Sequence, residues 1–223
     1  MWVVSVNGTS KEAAAAVAFF NSRITDTTPI GVDIRGTNWY TAGHWAQLRM
    51  AHGNAEPLGI KLWALGNELF APAQCGGWEP SWTCEGTAYV NGDGTHEGYL
   101  AFRAAMRAVD PGIALGAVGV TSQAGAGNWG NEVIAGAGDV MDFYDVHQYG
   151  YYDPPTVAQA LAQPVGGVWP AIMADVRASF DANAGGRRAR VGVTEWNLFS
   201  VWTQDAQGLM IRAVNGLHVA DTL

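Results

Sequence analysis

The sequence predicts an α/β fold in which helices cover a parallel β-sheet. Short apolar runs rich in β-branched residues alternate along the chain with longer stretches of helical character. Such alternation is typical of βαβ units, whose strands pair in parallel. With 223 residues, of which 48% are apolar and 14% charged, the chain is also long and apolar enough to bury a core.

Five strands can be defended from these runs, and an extended piece at 30–34 is a candidate for a sixth. A closed (β/α)8 barrel needs eight strands, typically in about 250 residues. The strand count therefore fits either an open five-stranded sheet or part of a barrel. The five strands are predicted at 2–6, 60–65, 113–118, 141–147 and 190–194.

Helices are predicted between the strands. Ser10 is expected to be the N-cap of an alanine-rich helix at 10–21, because its hydroxyl can accept a hydrogen bond from the first turn. Gly53 is expected to end the helix at 43–51, since glycine readily adopts the left-handed backbone found just after helices. The other predicted helices are 95–109, 131–137, 156–162, 170–184 and 203–220.

Charge and cysteine content limit the classes of function. A net charge of −8, with 12 Lys and Arg in all, argues against binding to nucleic acid or to an anionic membrane. The longest mostly apolar run, 13–20, falls far short of the roughly 20 residues that span a bilayer. No signal peptide is expected either, because a strand-like run follows Met1 directly.

Cys75 and Cys84 lie in one loop, and they fit a local disulfide or two free thiols, so the cellular compartment stays open. No zinc-ligand spacing accompanies them. Neither a metal nor a cofactor is therefore expected.

Two glutamates come directly after predicted strands, Glu68 after 60–65 and Glu195 after 190–194. Both carboxylates are expected at the carboxyl ends of the strands, where α/β barrels hold their active sites. Hydrolysis of a sugar needs such a pair, one to protonate the leaving oxygen and one to attack or to activate water. Either glutamate alone would be better explained as a solvated loop carboxylate. The two together, each with a Trp and an Asn within five residues, point to glycoside hydrolysis.

Polar residues continue the fourth predicted strand. Side chains alternate along a strand, so Asp145, His147 and Tyr149 are expected to point the same way. Inward polar groups are costly unless they pair with one another or with a ligand. His147 fits a paired core network as well as a site, whereas the position of Tyr149 at the strand end favours a site.

Other motifs carry less information. The run at 125–130 fits G-x-G-x-x-G, but without the acidic residue that a dinucleotide site requires it is interpreted as a chance match. The loop after Glu68 contains Trp78, Trp82 and Tyr89. These rings could line a sugar subsite or cover the helix below them.

Several motifs along the chain occur together in one known family. They are Val6-Asn7-Gly8-Thr9 with Glu12-Ala13-Ala14, the run 45–57, the run 60–68 ending in Gly66-Asn67-Glu68, His147-Gln148-Tyr149, and Thr194-Glu195-Trp196-Asn197. In order and spacing, across nearly the whole chain, they resemble the family-51 α-L-arabinofuranosidases. The resemblance implies a TIM-barrel catalytic domain of a large clan of retaining glycoside hydrolases, clan A.

The resemblance also implies roles for single residues. Glu68 is expected to be the acid/base, Glu195 the nucleophile, and Tyr149 a hydrogen-bonding neighbour of Glu195. Asn67 is expected to bind the sugar beside the cleaved bond. Asn7, His147, Trp196 and Phe199 complete the expected substrate-binding set. The implied ligand is an arabinose-containing oligosaccharide or polysaccharide, and assembly of the full-length protein as a homo-oligomer is left open.

Three positions depart from the family pattern: Ala64, Asp145 and Phe199. These departures leave two alternative functions. One is that of another clan-A retaining enzyme, such as a β-xylosidase or endoglucanase, and the other is that of a non-catalytic carbohydrate-binding relic. The run 2–6 resembles the family's third strand, and Glu195 ends its seventh. Residues 1–223 are therefore expected to form one partial catalytic domain, an incomplete (β/α)8 barrel with strands three to seven of eight.

Overall fold

The computed structural model describes residues 1–70, 79–152, 156–162, 168–199 and 208. Its strands are β1 Trp2–Val4, β2 Leu62–Leu65, β3 Ala114–Val118, β4 Phe143–Tyr152 and β5 Arg190–Phe199. They form one sheet in the order β1-β2-β3-β4-β5, and every neighbouring pair is parallel. Strands that neighbour each other in chain order are the arrangement of a barrel, whereas a doubly wound sheet reverses its order. The predicted parallel α/β fold is confirmed.

The helices follow the predicted alternation, with differences at several bounds. The helix expected at 131–137 begins six residues earlier, at Gly125. The helix expected at 95–109 begins only at Tyr99, and a short helix that was not predicted precedes it. The helix expected at 203–220 lies outside the described residues. The helices are α1 Ser10–Asn21, α2 Ala42–Ala51, α3 Gly86–Asn91, α4 Tyr99–Val109, α5 Gly125–Ala137, α6 Val157–Ala162 and α7 Val168–Asn183.

The segment at 30–34 does not join the sheet. It belongs to an irregular hairpin, in which isolated antiparallel bridges join Pro29 to Thr41 and Val32 to Asn38. The hairpin runs back along α1, where the Thr9 hydroxyl donates to Asp33 Oδ2 at 3.1 Å. The candidate sixth strand is therefore part of a connection between α1 and α2.

The first helix is capped by Thr9, so the expectation that Ser10 is the N-cap is wrong. Thr9 has extended backbone, and its hydroxyl accepts from the Glu12 amide while the Glu12 carboxylate accepts from the Thr9 amide. This reciprocal capping box satisfies two free amides at once. Ser10 is the first helical residue, and its amide and hydroxyl both donate to Glu97. The role expected for Gly53 is supported, because it follows α2 with φ +94°.

Aromatic residues fill the space between the sheet and the helices. Trp63, Tyr89, Tyr99 and Trp129 are fully buried. Their polar atoms are satisfied by backbone carbonyls. The Tyr89 hydroxyl donates to Leu65 O at 2.9 Å, and the Tyr99 hydroxyl donates to Leu115 O at 2.7 Å. Tyr89 therefore belongs to the core and does not line a sugar subsite.

The other two rings of the same loop differ. The indole of Trp82 donates to Val6 O at 3.2 Å, and its ring stacks on His96 with centroids 4.8 Å apart. Trp78 lies outside the described residues. Cys84 is disulfide-bonded, and Cys75 lies outside the described residues.

A buried cation ties the first two helices together. The guanidinium of Arg49 donates to four carbonyl oxygens, including Phe19 O at 2.6 Å and Ser22 O at 2.9 Å. Both of these carbonyls lie at the carboxyl end of α1, where positive charge is favoured. None of the described helices is long and apolar enough to cross a bilayer.

Neighbouring glycines make room for one ring on the sheet. Gly116 pairs with Phe143, and a Cβ at Gly116 would lie 2.2 Å from Phe143 Cε2. A Cβ at Gly192 on β5 would lie 3.0 Å from Phe143 Cδ2. The ring of Phe143 therefore lies against the backbones of both flanking strands.

Candidate active site

The two predicted glutamates come close together, although β5 extends past Glu195, which was expected to follow that strand. Glu68 lies three residues after β2, and Glu195 lies within β5. Each of Glu68, His147 and Glu195 offers one side-chain oxygen or nitrogen, and these three atoms all lie within 4.8 Å of one another. Although β3 and β4 lie between β2 and β5 in the sheet, side-chain oxygens of the two glutamates lie within 4.8 Å of each other.

His147 links the two carboxylates. Its Nδ1 lies 2.9 Å from Glu68 Oε1 and 3.5 Å from Glu195 Oε2. Burial alone would lower the pKa of His147. The hydrogen bond to Glu68 and the charges of Glu195, Asp145 and Glu68 outweigh burial, so the pKa is raised above its ordinary value. A protonated imidazole that donates from Nδ1 fits this position.

Tyr149 orients the second carboxylate. Its hydroxyl donates to Glu195 Oε2 at 2.7 Å. A short hydrogen bond from a phenol to a carboxylate oxygen fixes the direction of that carboxylate. The neighbour that the resemblance implied for Glu195 is thus in contact with it.

A β-bulge lies immediately before Glu195. Val146 pairs with Val193 and His147 pairs with Glu195, so Thr194 is an extra residue on β5. The Thr194 hydroxyl donates to Asp145 Oδ1. Asp145 is 6% exposed, and burial raises the pKa of its carboxyl despite the Thr194 hydrogen bond and the charge of His147. Thr194 was not predicted as a site residue, because strand alternation alone gives no sign of a bulge.

Glu68 has a strained backbone. Its φ is +46°, in the left-handed region that residues other than glycine and asparagine rarely adopt. The preceding Asn67 donates from its side-chain amide to Glu79 Oε1 at 3.1 Å. Glu79 was not predicted, since only the return of a loop in space brings it next to Asn67. Backbone strain like that at Glu68 is common where a side chain must be aimed into a site.

Asn7 and Trp196, two other predicted residues, contact neighbouring segments. The side-chain amide of Asn7 donates to Pro80 O at 2.8 Å, and its backbone carbonyl accepts from Arg35 Nη2 at 2.7 Å. Asn7 therefore joins the two loops that contain Arg35 and Pro80. Trp196 is partly buried and pairs with Gln148. The side chain of Phe199 lies outside the described part of the chain.

Two carboxylates and an imidazole could also hold a cation. Here the ring of His147 and the hydroxyl of Tyr149 already bind the carboxylate oxygens. Because these contacts already engage the carboxylate oxygens, no metal is proposed.

Known proteins of similar sequence share one activity in their names. No family model matches the sequence. The intracellular exo-α-(1→5)-L-arabinofuranosidase of Halalkalibacterium halodurans is 31% identical over 128 residues, which are 56% of this chain and 23% of that protein. The enzyme of the same name from Bifidobacterium longum is 28% identical over 190 residues, 78% of this chain and 31% of that protein. The chain thus spans less than a third of the length of these relatives.

Solved structures show the same fold. The α-L-arabinofuranosidase of Thermotoga maritima, solved with arabinose, matches 99% of this chain and 39% of its own with a TM-score of 0.67 and 21% identity. A family-51 α-L-arabinofuranosidase of Bifidobacterium longum matches 94% of this chain and 37% of its own, with a TM-score of 0.62 and 19% identity. In fold, over nearly its whole length, the chain resembles part of family-51 α-L-arabinofuranosidases. In sequence, over more than half of its length, it resembles part of proteins named exo-α-(1→5)-L-arabinofuranosidases.

Proposed function

We propose that this chain carries the catalytic centre of a retaining glycoside hydrolase, with Glu68 as acid/base and Glu195 as nucleophile. The observation that carries the proposal is the approach of the two carboxylates, oxygen to oxygen, to within 4.8 Å. Retaining enzymes hold their carboxyl groups about 5–5.5 Å apart, whereas inverting enzymes need about 6.5–9.5 Å to fit a water molecule between carboxylate and sugar.

The reaction proceeds in two displacements. Glu195 attacks the anomeric carbon while Glu68 gives a proton to the leaving oxygen, and a covalent glycosyl-enzyme forms. Glu68 then takes a proton from water, and the water displaces Glu195 from the sugar. Tyr149 holds the attacking carboxylate in place through its 2.7 Å hydrogen bond. His147 Nδ1 lies 2.9 Å from Glu68 Oε1, close enough for the imidazole to exchange a proton with the acid/base between the two steps.

The proposed substrate is an L-arabinofuranosyl group on an oligosaccharide or polysaccharide. The names of the similar proteins support this choice of sugar. Asn67, His147 and Trp196 lie close to the carboxylates in sequence or in space and would contact the sugar. Asn7 and Phe199 remain further candidates for substrate contact.

The test uses the full-length protein and a pair of aryl glycosides, an α-L-arabinofuranoside and a β-xyloside. Glu195→Gln should reduce turnover of the arabinofuranoside by several orders of magnitude, because no nucleophile remains. Glu68→Gln should slow a substrate with a poor leaving group far more than one with a good leaving group. Glu56→Gln, at an exposed glutamate before β2, is the matched control and should leave turnover unchanged.

The first sugar product should keep its anomeric configuration when followed by NMR. An inverted product contradicts the double displacement. Preference for the xyloside would indicate another retaining enzyme of the same clan. Binding of arabinose-containing oligosaccharides without turnover would favour a carbohydrate-binding relic.

A further inference from the structure

We propose that Asp145 and Thr194 form a positioning pair, which holds the bulge in β5 and so turns Glu195 toward Glu68. The inference rests on the proposed function, because it assigns the pair a role beside the proposed nucleophile. Neither residue touches the reacting atoms in the proposed reaction, so the pair acts through Glu195.

The bulge decides which way Glu195 faces. In a regular strand, Thr194 and Glu195 would point to opposite faces of the sheet. Here β5 advances two residues, from Val193 to Glu195, while β4 advances one, from Val146 to His147. Because of the extra residue, both side chains can lie on the same face of the sheet. Thr194 contacts Asp145, and Glu195 contacts Tyr149. Re-aiming a side chain in this way is a known use of bulges near active sites.

Asp145 is a firm anchor for the bulge. Its backbone pairs with Val118 on β3 and with Gly192 on β5, and its carbonyl accepts from the Gly119 amide at 2.6 Å. Its carboxyl group is almost fully buried, so it is costly unless paired. The Thr194 hydroxyl supplies a hydrogen bond to this group.

The Thr194 hydroxyl is therefore a side-chain link between the extra residue and the fixed strand. If it is removed, the carboxyl group loses a donor and the bulge loses an anchor. Pairing that relaxes by one residue would carry Glu195 toward the other face of the sheet. Even a displacement of about 1 Å at a reacting group can cost about 100-fold in rate.

The test compares Thr194→Val, which keeps the shape and removes the donor, with Thr194→Ser, which keeps the donor. Both are made in the full-length protein. The first measurement is the rate at which a mechanism-based inactivator, an epoxide analogue of the arabinofuranosyl ring, labels Glu195. The kcat and KM for an aryl arabinofuranoside, and the melting temperature, are measured beside it.

We expect Thr194→Val to lower both kcat and the labelling rate by about 10- to 100-fold, with a much smaller change in KM. Thr194→Ser should recover most of that loss. Thr194→Val strands a buried carboxyl group and so can impair folding. The double variant Thr194→Val with Asp145→Asn replaces the carboxyl group by a neutral amide. It should fold, and its Glu195 should still be labelled slowly.

Labelling of folded Thr194→Val or of the double variant at the rate of the unchanged protein would overturn the inference. So would equal losses in Thr194→Val and Thr194→Ser, which would indicate a packing role alone. Failure of the proposed function looks different, since the unchanged protein would then neither turn over the substrate nor become labelled at Glu195.

Discussion

The charge on His147 is set by two opposed effects, burial on one side and the surrounding carboxylates on the other. Because the carboxylates raise the pKa of His147 more than burial lowers it, the pKa in the folded protein lies above its ordinary 6.5. A raised pKa means that the folded state binds the proton more tightly than the unfolded chain does. The stabilisation is fully present below about pH 6.5, and it is lost as the pH rises through the folded-state pKa.

His147→Gln should therefore lose more free energy of unfolding at pH 6 than at pH 9. Denaturant titrations of the full-length protein at the two pH values measure the difference. His52→Gln, at an exposed histidine after α2, serves as the control and should show little loss at either pH. Equal losses for His147→Gln at both pH values would mean that the imidazole is neutral in the folded state.

Single residues also show where sequence reasoning succeeds. Glu68 and Glu195 were expected to lie near each other, and they do, because each comes late in or just after an apolar run whose place is fixed by the parallel sheet. Glu79 and Thr194 were missed for the opposite reason. One depends on how a loop returns in space, and the other on a bulge, and neither leaves a pattern in the local sequence.

At the scale of strands, the contact between Phe143 and its flanking glycines makes a second prediction. Gly116→Ala would place a methyl group 2.2 Å from Phe143 Cε2, and the backbone of Gly192 limits how far the ring can retreat. Overpacking of this kind costs about 1–3 kcal/mol of unfolding free energy. Thermal or denaturant unfolding measures it.

Gly125→Ala is the matched control, since a Cβ there meets Ser122 at an ordinary 3.4 Å. Pairing Gly116→Ala with Phe143→Leu should restore part of the lost stability, because a smaller side chain relieves the crowding. A Gly116→Ala protein as stable as the unchanged one would show that the ring can move away freely.

Elements were predicted well wherever a long periodic run decides the structure. The run of alanines gave α1 to the residue, from Ser10 to Asn21. The region at 86–98 was predicted less well. There Asp93 accepts from the amides of Thr95 and His96, and a bridge joins Gly92 to Glu97, so α4 starts later than its apolar pattern suggests. Side-chain bonds to the backbone, which periodicity does not register, set that boundary.

At the scale of the whole molecule, the sheet presents apolar residues on its two outer strands. Trp2 and Val3 on β1 are 45% and 44% exposed, and Val193 on β5 is 38% exposed. Outer strands with exposed apolar side chains invite pairing with other chains. The 223-residue chain by itself should therefore self-associate, and more so as its concentration rises.

Sedimentation velocity over a range of concentrations measures this association. Trp2→Lys with Val3→Glu places charges on the outer strand and should shift the distribution toward monomer. A chain that stays monomeric at tens of micromolar, with no effect of these changes, would contradict the prediction.

The left-handed backbone at Glu68 carries a cost in folding. That conformation costs roughly 1–2 kcal/mol for a residue other than glycine. Asparagine or glycine would fit the same turn with less strain. A glutamate at a position where the backbone disfavours it points to a use for its carboxyl group, which the folding of the turn does not require.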